Sequence, residues 1–216
     1  MIHNGTSGGA PDFQVAGAPA TALGSLRRRL RAERRALSPA QRRTASAMLA
    51  RRLATLAVFQ RARRIAAYWP ADGEIDPLPA LRRAAAAGKA CYLPVLCPQR
   101  DGHLHFAAWQ PWTPLRRNRF GIVEPAVAPR HWLAPRMLDL VLLPLVGFDE
   151  AGNRLGMGGG FYDRSFAFLA QRRWRRPRLV GVAFDLQRVD RLPRRAWDVP
   201  LDAVVSERHG YRFRTL

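Results

Sequence analysis

The stretch from Leu138 to Asp163 constrains this chain more than any other. Apart from Asp139, every residue from Leu138 to Leu143 is apolar, and so continuous a run predicts a strand buried on both faces, as in the interior of a parallel sheet. A loop over 146–160 follows, and its end carries four glycines in five residues, Gly156, Gly158, Gly159 and Gly160. A helix is expected from about Phe161 to Arg173. A glycine-rich passage from buried strand to helix lets backbone amides approach an anion without side-chain obstruction, and the helix N-terminus adds partial positive charge. Arg154 at the loop entrance can pair with a phosphate oxygen, and Asp163 in the first helical turn can hold a magnesium ion or its waters. Taken alone, the same residues also suit a tight turn and a carboxylate that compensates the helix dipole. The loop is not a Walker loop, since no Gly-Lys-Ser/Thr follows, and its glycine spacing is not the dinucleotide fingerprint.

The remaining chain alternates strand and helix, the pattern of an open α/β sheet. Leu26, Leu30 and Leu37 keep a roughly helical spacing in a strongly basic segment beginning at Ser25. Ser38-Pro39-Ala40-Gln41 supplies a capping serine, a proline at the first helical position and a glutamine three residues after the cap, which predicts a second helix to about Ala57. Ile65–Trp69 reads as a short strand that delivers Glu74 on the turn beyond it. Pro79–Ala87 reads as a helix stopped by Gly88, and Ala90–Val95 as the next strand. His103–Trp109 is expected to be an additional strand, Leu179–Phe184 another, and Ala203–Ser206 a last one. The segment over 111–135 reads as irregular.

The chain has 216 residues, 48% of them apolar, enough for one core, and no apolar run approaches the roughly 20 residues that span a bilayer. A single domain over 23–216 is expected, after a disordered leader over 1–22 that is poor in charge and rich in Gly, Ala and Pro. With only Cys91 and Cys97 there is no disulfide framework, which fits a reducing, cytoplasmic setting. The formal net charge of +20 raises the question of nucleic acid. Yet of the 36 basic residues only Lys89 is lysine, and the arginines are scattered instead of gathered on one stripe. No dedicated nucleic-acid partner is expected.

Several segments together give a more specific reading. They are Arg34-Arg35-Ala36-Leu37-Ser38 closing the basic opening helix, the turn Gly73-Glu74-Ile75-Asp76, Ala87-Gly88-Lys89 before Cys91-Tyr92-Leu93-Pro94, and Asn118 to Pro125. The glycine motif from Phe148 to Asp163 comes next, then Trp197-Asp198-Val199-Pro200-Leu201-Asp202. In this order they resemble the 5-formyltetrahydrofolate cyclo-ligase family, from Leu26 to about Ser206. The resemblance implies a Rossmann-like, mostly parallel sheet with flanking helices and a basic N-terminal helix pair. It further implies ATP-dependent closure of 5-formyltetrahydrofolate to 5,10-methenyltetrahydrofolate, with ADP and phosphate released, magnesium as cofactor and a monomeric enzyme.

Residue by residue, it assigns Arg27 and the run Arg154, Leu155, Gly156, Met157, Gly158, Gly159, Gly160, Phe161 and Tyr162 to ATP. Met157 to Phe161 also adjoin the folate, with Glu74 as a folate contact and Trp69 a candidate wall of that pocket. Arg154, Tyr162 and Asp163 are the expected catalytic group, and Asp163 and Asp202 match the magnesium positions. One departure stands out: the family's lysine four residues before the arginine matching Arg27 is replaced by Leu23. Two competing readings are a basic RNA- or DNA-binding protein and a sugar-phosphate isomerase or transferase on a similar sheet. The second needs a general base beside the loop, where neither lysine nor histidine stands.

Overall fold

The computed structural model describes residues 20–97, 102–171 and 176–213. Its centre is a seven-stranded sheet. In chain order the main elements are α1 (Ala20–Ala36), α2 (Pro39–Thr55), α3 (Ala57–Arg61), β1 (Arg64–Ala66), α4 (Leu78–Ala86), β2 (Ala90–Leu96), β3 (Leu104–Ala108), β4 (Leu115–Arg117), β5 (Val123–Pro125), β6 (Leu140–Pro144), β7 (Gly147–Phe148), β8 (Arg154–Leu155), α5 (Phe161–Phe166), β9 (Arg178–Val182), β10 (Ala203–Val205) and β11 (Gly210–Arg212). The sheet order is β11-β10-β9-β6-β1-β2-β3, parallel from β10 to β2, with an antiparallel strand at each edge. The expected mostly parallel sheet is therefore present.

Burial explains the parallel centre. Leu140, Val141 and Leu142 of β6 are fully enclosed, their side chains alternating between two cores. One core packs α2 and α4 on the sheet through Leu49, Leu53, Leu78 and Leu81. The opposite core takes Phe166 from α5 and Phe148 from β7. The expected cap at Ser38 is present as a reciprocal pair: Ser38 Oγ accepts from the Gln41 amide at 3.2 Å, and Gln41 Oε1 accepts from the Ser38 amide at 2.7 Å. Such caps typically stabilise a helix by about 1 kcal/mol.

The structure corrects several boundaries. The first helix begins at Ala20, five residues before Ser25, so residues 20–22 are helical and do not belong to a leader. Its extra turn seats Leu23 in a small cluster with Leu30, Val146, Leu155 and Leu192, and that burial extends the helix upstream. The rest of the leader expected over 1–22, residues 1–19, lies outside the described residues. Downstream of the glycines, α5 ends at Phe166 and gives way to a 3-10 turn, Ala167–Ala170, that folds Phe168 and Leu169 onto the same core. Arg173 lies outside the described residues. Two short hairpins, β4–β5 and β7–β8, occupy segments read as irregular, and β11 extends the sheet beyond the strand expected to be last.

Candidate functional site

The chain starts the sheet at β1, adds β2 on one side, then returns to place β6 on the other. Ligand crevices in open α/β sheets form at such a reversal, beyond the carboxyl ends of the strands. Here the reversal opens into a cavity of 470 Å³. Tyr68, Trp69 and Glu74 reach it from the segment after β1, Pro144 and Leu145 from the end of β6, and the whole glycine run from across the mouth.

The glycine loop is open to its surroundings. Met157 is 53% exposed, and Gly158 and Gly160 adopt φ of 100° and 64°, the left-handed side that only glycine enters without strain. An added Cβ at Gly158 would meet nothing within 4 Å, so this side of the loop is open space. Since α5 has only six residues, its dipole contributes little, and the loop amides are the larger source of positive potential at this end of the cavity.

Arg154 in β8 is largely buried. Its guanidinium donates to an Asp163 oxygen and to the Val199 carbonyl, while the Val199 amide donates to the same Asp163 oxygen at 3.1 Å. Arg154 and Asp163 therefore line the cavity as a paired unit tied to the segment before β10. Arg27 reaches the loop from α1, its Nε donating to the Gly156 carbonyl at 2.8 Å. Leu23, one helical turn upstream, also lines the cavity and presents an apolar side chain there.

Glu74 and Tyr162 face the same space. Glu74 Oε2 accepts from the Ala71 amide at 3.1 Å, and Oε1 lies 3.6 Å from the Arg34 guanidinium. Burial pushes the Glu74 carboxyl above its usual range, and the charge of Arg34 opposes the rise. The Tyr162 hydroxyl is also pushed up, first by burial and then by the negative charge of Glu74. Trp69 is half-buried, packed on the core and exposed to the cavity on its remaining surface.

Asp202 stands elsewhere. It precedes β10, at the opposite end of the parallel strands from the crevice, and its oxygens accept from Arg178 at 2.8 Å and from the Leu179 amide at 2.7 Å. It is not among the cavity-lining residues. Among the described residues no group of three His, Cys, Asp or Glu is placed to hold a metal ion. A magnesium ion carried on ATP needs only one or two protein carboxylates, since phosphates and water fill the other positions. Asp163 fits that requirement; Asp202 does not.

Asp72 escaped sequence reasoning. It takes a left-handed conformation, φ 52°, in the turn after β1, and its carboxylate accepts from Arg31 at 2.7 Å, from Arg34 at 2.8 Å and from Arg35. Burial would raise its carboxyl, but the hydrogen bonds from Arg31, Arg35 and Arg34 prevail and hold it at about 2, below the ordinary 3.8. A carboxyl depressed in the folded state stabilises the fold fully above its unfolded value and loses that contribution as pH falls towards the folded value. Asp72→Asn, which tolerates the left-handed turn, is therefore expected to lower the melting temperature at neutral pH and to flatten its decline from about pH 4 to about pH 2. Thermal melts across that range check it; a decline as steep as in the parent protein would place the acid sensitivity elsewhere. Phe120, Ile122 and Trp197, exposed at the cavity mouth, were also missed. They lie far from the loop in sequence, although Asn118–Pro125 and Trp197–Asp202, where they fall, are among the segments that carry the family resemblance.

A family model described as the 5-formyltetrahydrofolate cyclo-ligase family matches residues 20–207. The chain is 41% identical over 179 residues to the 5-formyltetrahydrofolate cyclo-ligase of Escherichia coli K12, across 82% of this chain and 96% of that protein. It is 38% identical over 178 residues to the Haemophilus influenzae protein of the same name, covering 82% and 92%. Among solved structures, the NMR structure of Aquifex aeolicus 5,10-methenyltetrahydrofolate synthetase superposes with a TM-score of 0.74 at 31% identity, over 89% of this chain and 93% of that one. No helix among the described residues is long and apolar enough to cross a membrane.

Proposed function

Because the chain belongs to the 5-formyltetrahydrofolate cyclo-ligase family, we propose that its cavity closes 5-formyltetrahydrofolate to 5,10-methenyltetrahydrofolate at the expense of ATP. The observation that carries the assignment to this cavity is the open glycine loop facing Glu74 across the switch point of the sheet. The amide oxygen of the formyl group is a poor leaving group. Transfer of the terminal phosphoryl group of ATP to that oxygen gives an iminium-like phosphate ester and ADP. The neighbouring anilino nitrogen then attacks the activated carbon and gives up its proton, the C–O bond breaks, and phosphate departs with that proton.

No covalent nucleophile is required, so the work of the protein is positioning and charge neutralisation. The loop amides receive the phosphates, with Arg27 at the loop and Arg154 behind Asp163 supplying positive charge. Magnesium, when bound with ATP, would neutralise phosphate charge, and Asp163 would be the carboxylate that holds it. Glu74, with Tyr162 beside it, addresses the polar edge of the pterin, and Trp69 walls the pocket. Cys91 and Cys97 are both buried, and the same reading takes the enzyme to be a monomer that works in a reducing, cytoplasmic compartment.

The direct test supplies ATP, magnesium and 5-formyltetrahydrofolate and follows the near-ultraviolet absorbance of the methenyl product. Folded protein that gives no ATP-dependent product would refute the assignment. Glu74→Gln removes a charged acceptor from the pterin side, and hydrogen bonds to charged groups are typically worth about 1.5–3 kcal/mol. The KM for 5-formyltetrahydrofolate is expected to rise about 10- to 100-fold, with the KM for ATP within about twofold. Equal rises in both constants would place Glu74 outside the folate contact.

A further inference from the structure

A run of glycines has many backbone conformations open to it, so something must decide which way its peptide groups face. Arg164, in the second half of α5, is built into the loop from outside. Its guanidinium donates to the Gly159 carbonyl, its Nε donates to the Gly102 carbonyl at 3.0 Å, and it lies over the Phe161 ring at 5.5 Å. Two glycines make room for it: a Cβ on Gly102 would come within 2.3 Å of the guanidinium, and a Cβ on Gly160 within 2.9 Å. Gly159 and Gly160 line the cavity, whereas Arg164 does not. In a trans peptide the C=O and the following N–H point in opposite directions. With the Gly159 carbonyl drawn outwards to Arg164, the Gly160 N–H is turned to the cavity side.

We propose that Arg164 is a positioning residue for ATP, a strut between the turn at Gly102 and the glycine loop that holds the Gly160 amide facing the phosphates. The proposal rests on the loop being the phosphate site of the proposed function. It concerns a residue that touches neither substrate, and it couples the ATP site to the turn entering β3.

The test compares parent protein, Arg164→Ala and Arg164→Lys, full-length, by titration with ATP and magnesium, by steady-state kinetics and by amide NMR of labelled protein. Loss of a charge-assisted contact that fixes a ligand donor is expected to raise both the dissociation constant and the KM for ATP about 10- to 100-fold. The KM for 5-formyltetrahydrofolate should stay within about twofold, and the ATP-induced shift of the Gly160 amide should disappear. Lysine should restore only part of the affinity, because a single ammonium cannot reproduce the planar fork that reaches both carbonyls. Gly102→Ala, which keeps Arg164 but drives its guanidinium from its slot, should raise the KM for ATP in the same sense even where Arg164→Ala folds poorly. ATP affinity unchanged in folded Arg164→Ala, or both Michaelis constants raised equally alongside a lower melting temperature, would overturn the strut. A parent protein that binds no ATP would instead overturn the proposed function itself.

Discussion

Gly158→Val is expected to remove most ATP-dependent turnover while leaving the protein folded. At φ of 100° a β-branched residue is strained by roughly 1–3 kcal/mol, a loss confined to an exposed loop. A Cβ there meets no protein atom within 4 Å, and the exposed loop leaves the added methyls room without a shift of the core. The space it fills is the space a phosphate oxygen must enter to reach the loop amides. Removal of one well-placed donor from a site that stabilises developing charge typically costs about 100- to 1,000-fold in rate, and kcat/KM for ATP should fall on that scale. Gly160→Val mixes two effects, because its Cβ also runs into Arg164. Steady-state kinetics with a thermal melt decide the matter: ATP kinetics within about threefold of the parent protein would mean that the phosphates lie elsewhere.

The largest effect on stability is expected from Arg34→Met. Arg34 is fully buried, its Nε donating to the Asp72 carbonyl at 3.0 Å, one Nη to the Asp72 carboxylate at 2.8 Å and the other to the Leu145 carbonyl at 3.4 Å. One side chain thus joins α1 to the segments leaving β1 and β6, the two sides of the crevice. Methionine fills part of the volume but leaves the Leu145 carbonyl and the buried Glu74 without this cationic neighbour. Breaking a buried ion pair from one side typically costs about 3–5 kcal/mol, which for a domain of this size corresponds to roughly 10 °C in melting temperature. Denaturant titration measures the loss directly; a change under about 1 kcal/mol would show that Arg31 and Arg35 hold the turn without it.

Much of the frame was legible because periodic features report periodic structure. The apolar run ending at Leu143, the cap at Ser38 and the glycines before Phe161 each carry their meaning within a few residues, and each appears where expected. The start of α1 was not legible, since Leu23 is buried against Val146 and Leu192, which are remote in sequence. The hub at Asp72 was hidden for the same reason. An aspartate in a turn reads as a turn former, and only the fold brings three arginines of one helix to it. Asp202 runs the other way. Its motif match was clear, but its carboxylate is committed to Arg178 and the Leu179 amide, outside the cavity.

The two antiparallel edge strands bear on how open the sheet is to pairing with a further strand. A bare sheet edge is a row of unpaired amides and carbonyls onto which a second chain can add a strand. At one margin, Phe106 of β3 exchanges backbone hydrogen bonds of 3.0 and 2.7 Å with Leu133, so a passing segment already sits where an intruding strand would dock. At the other, β11 is only three residues long, begins with glycine and ends in the exposed Arg212. Neither margin offers a long, uncharged template, and a fold whose centre is among the most apolar parts of the chain is shielded at both ends from edge-to-edge aggregation.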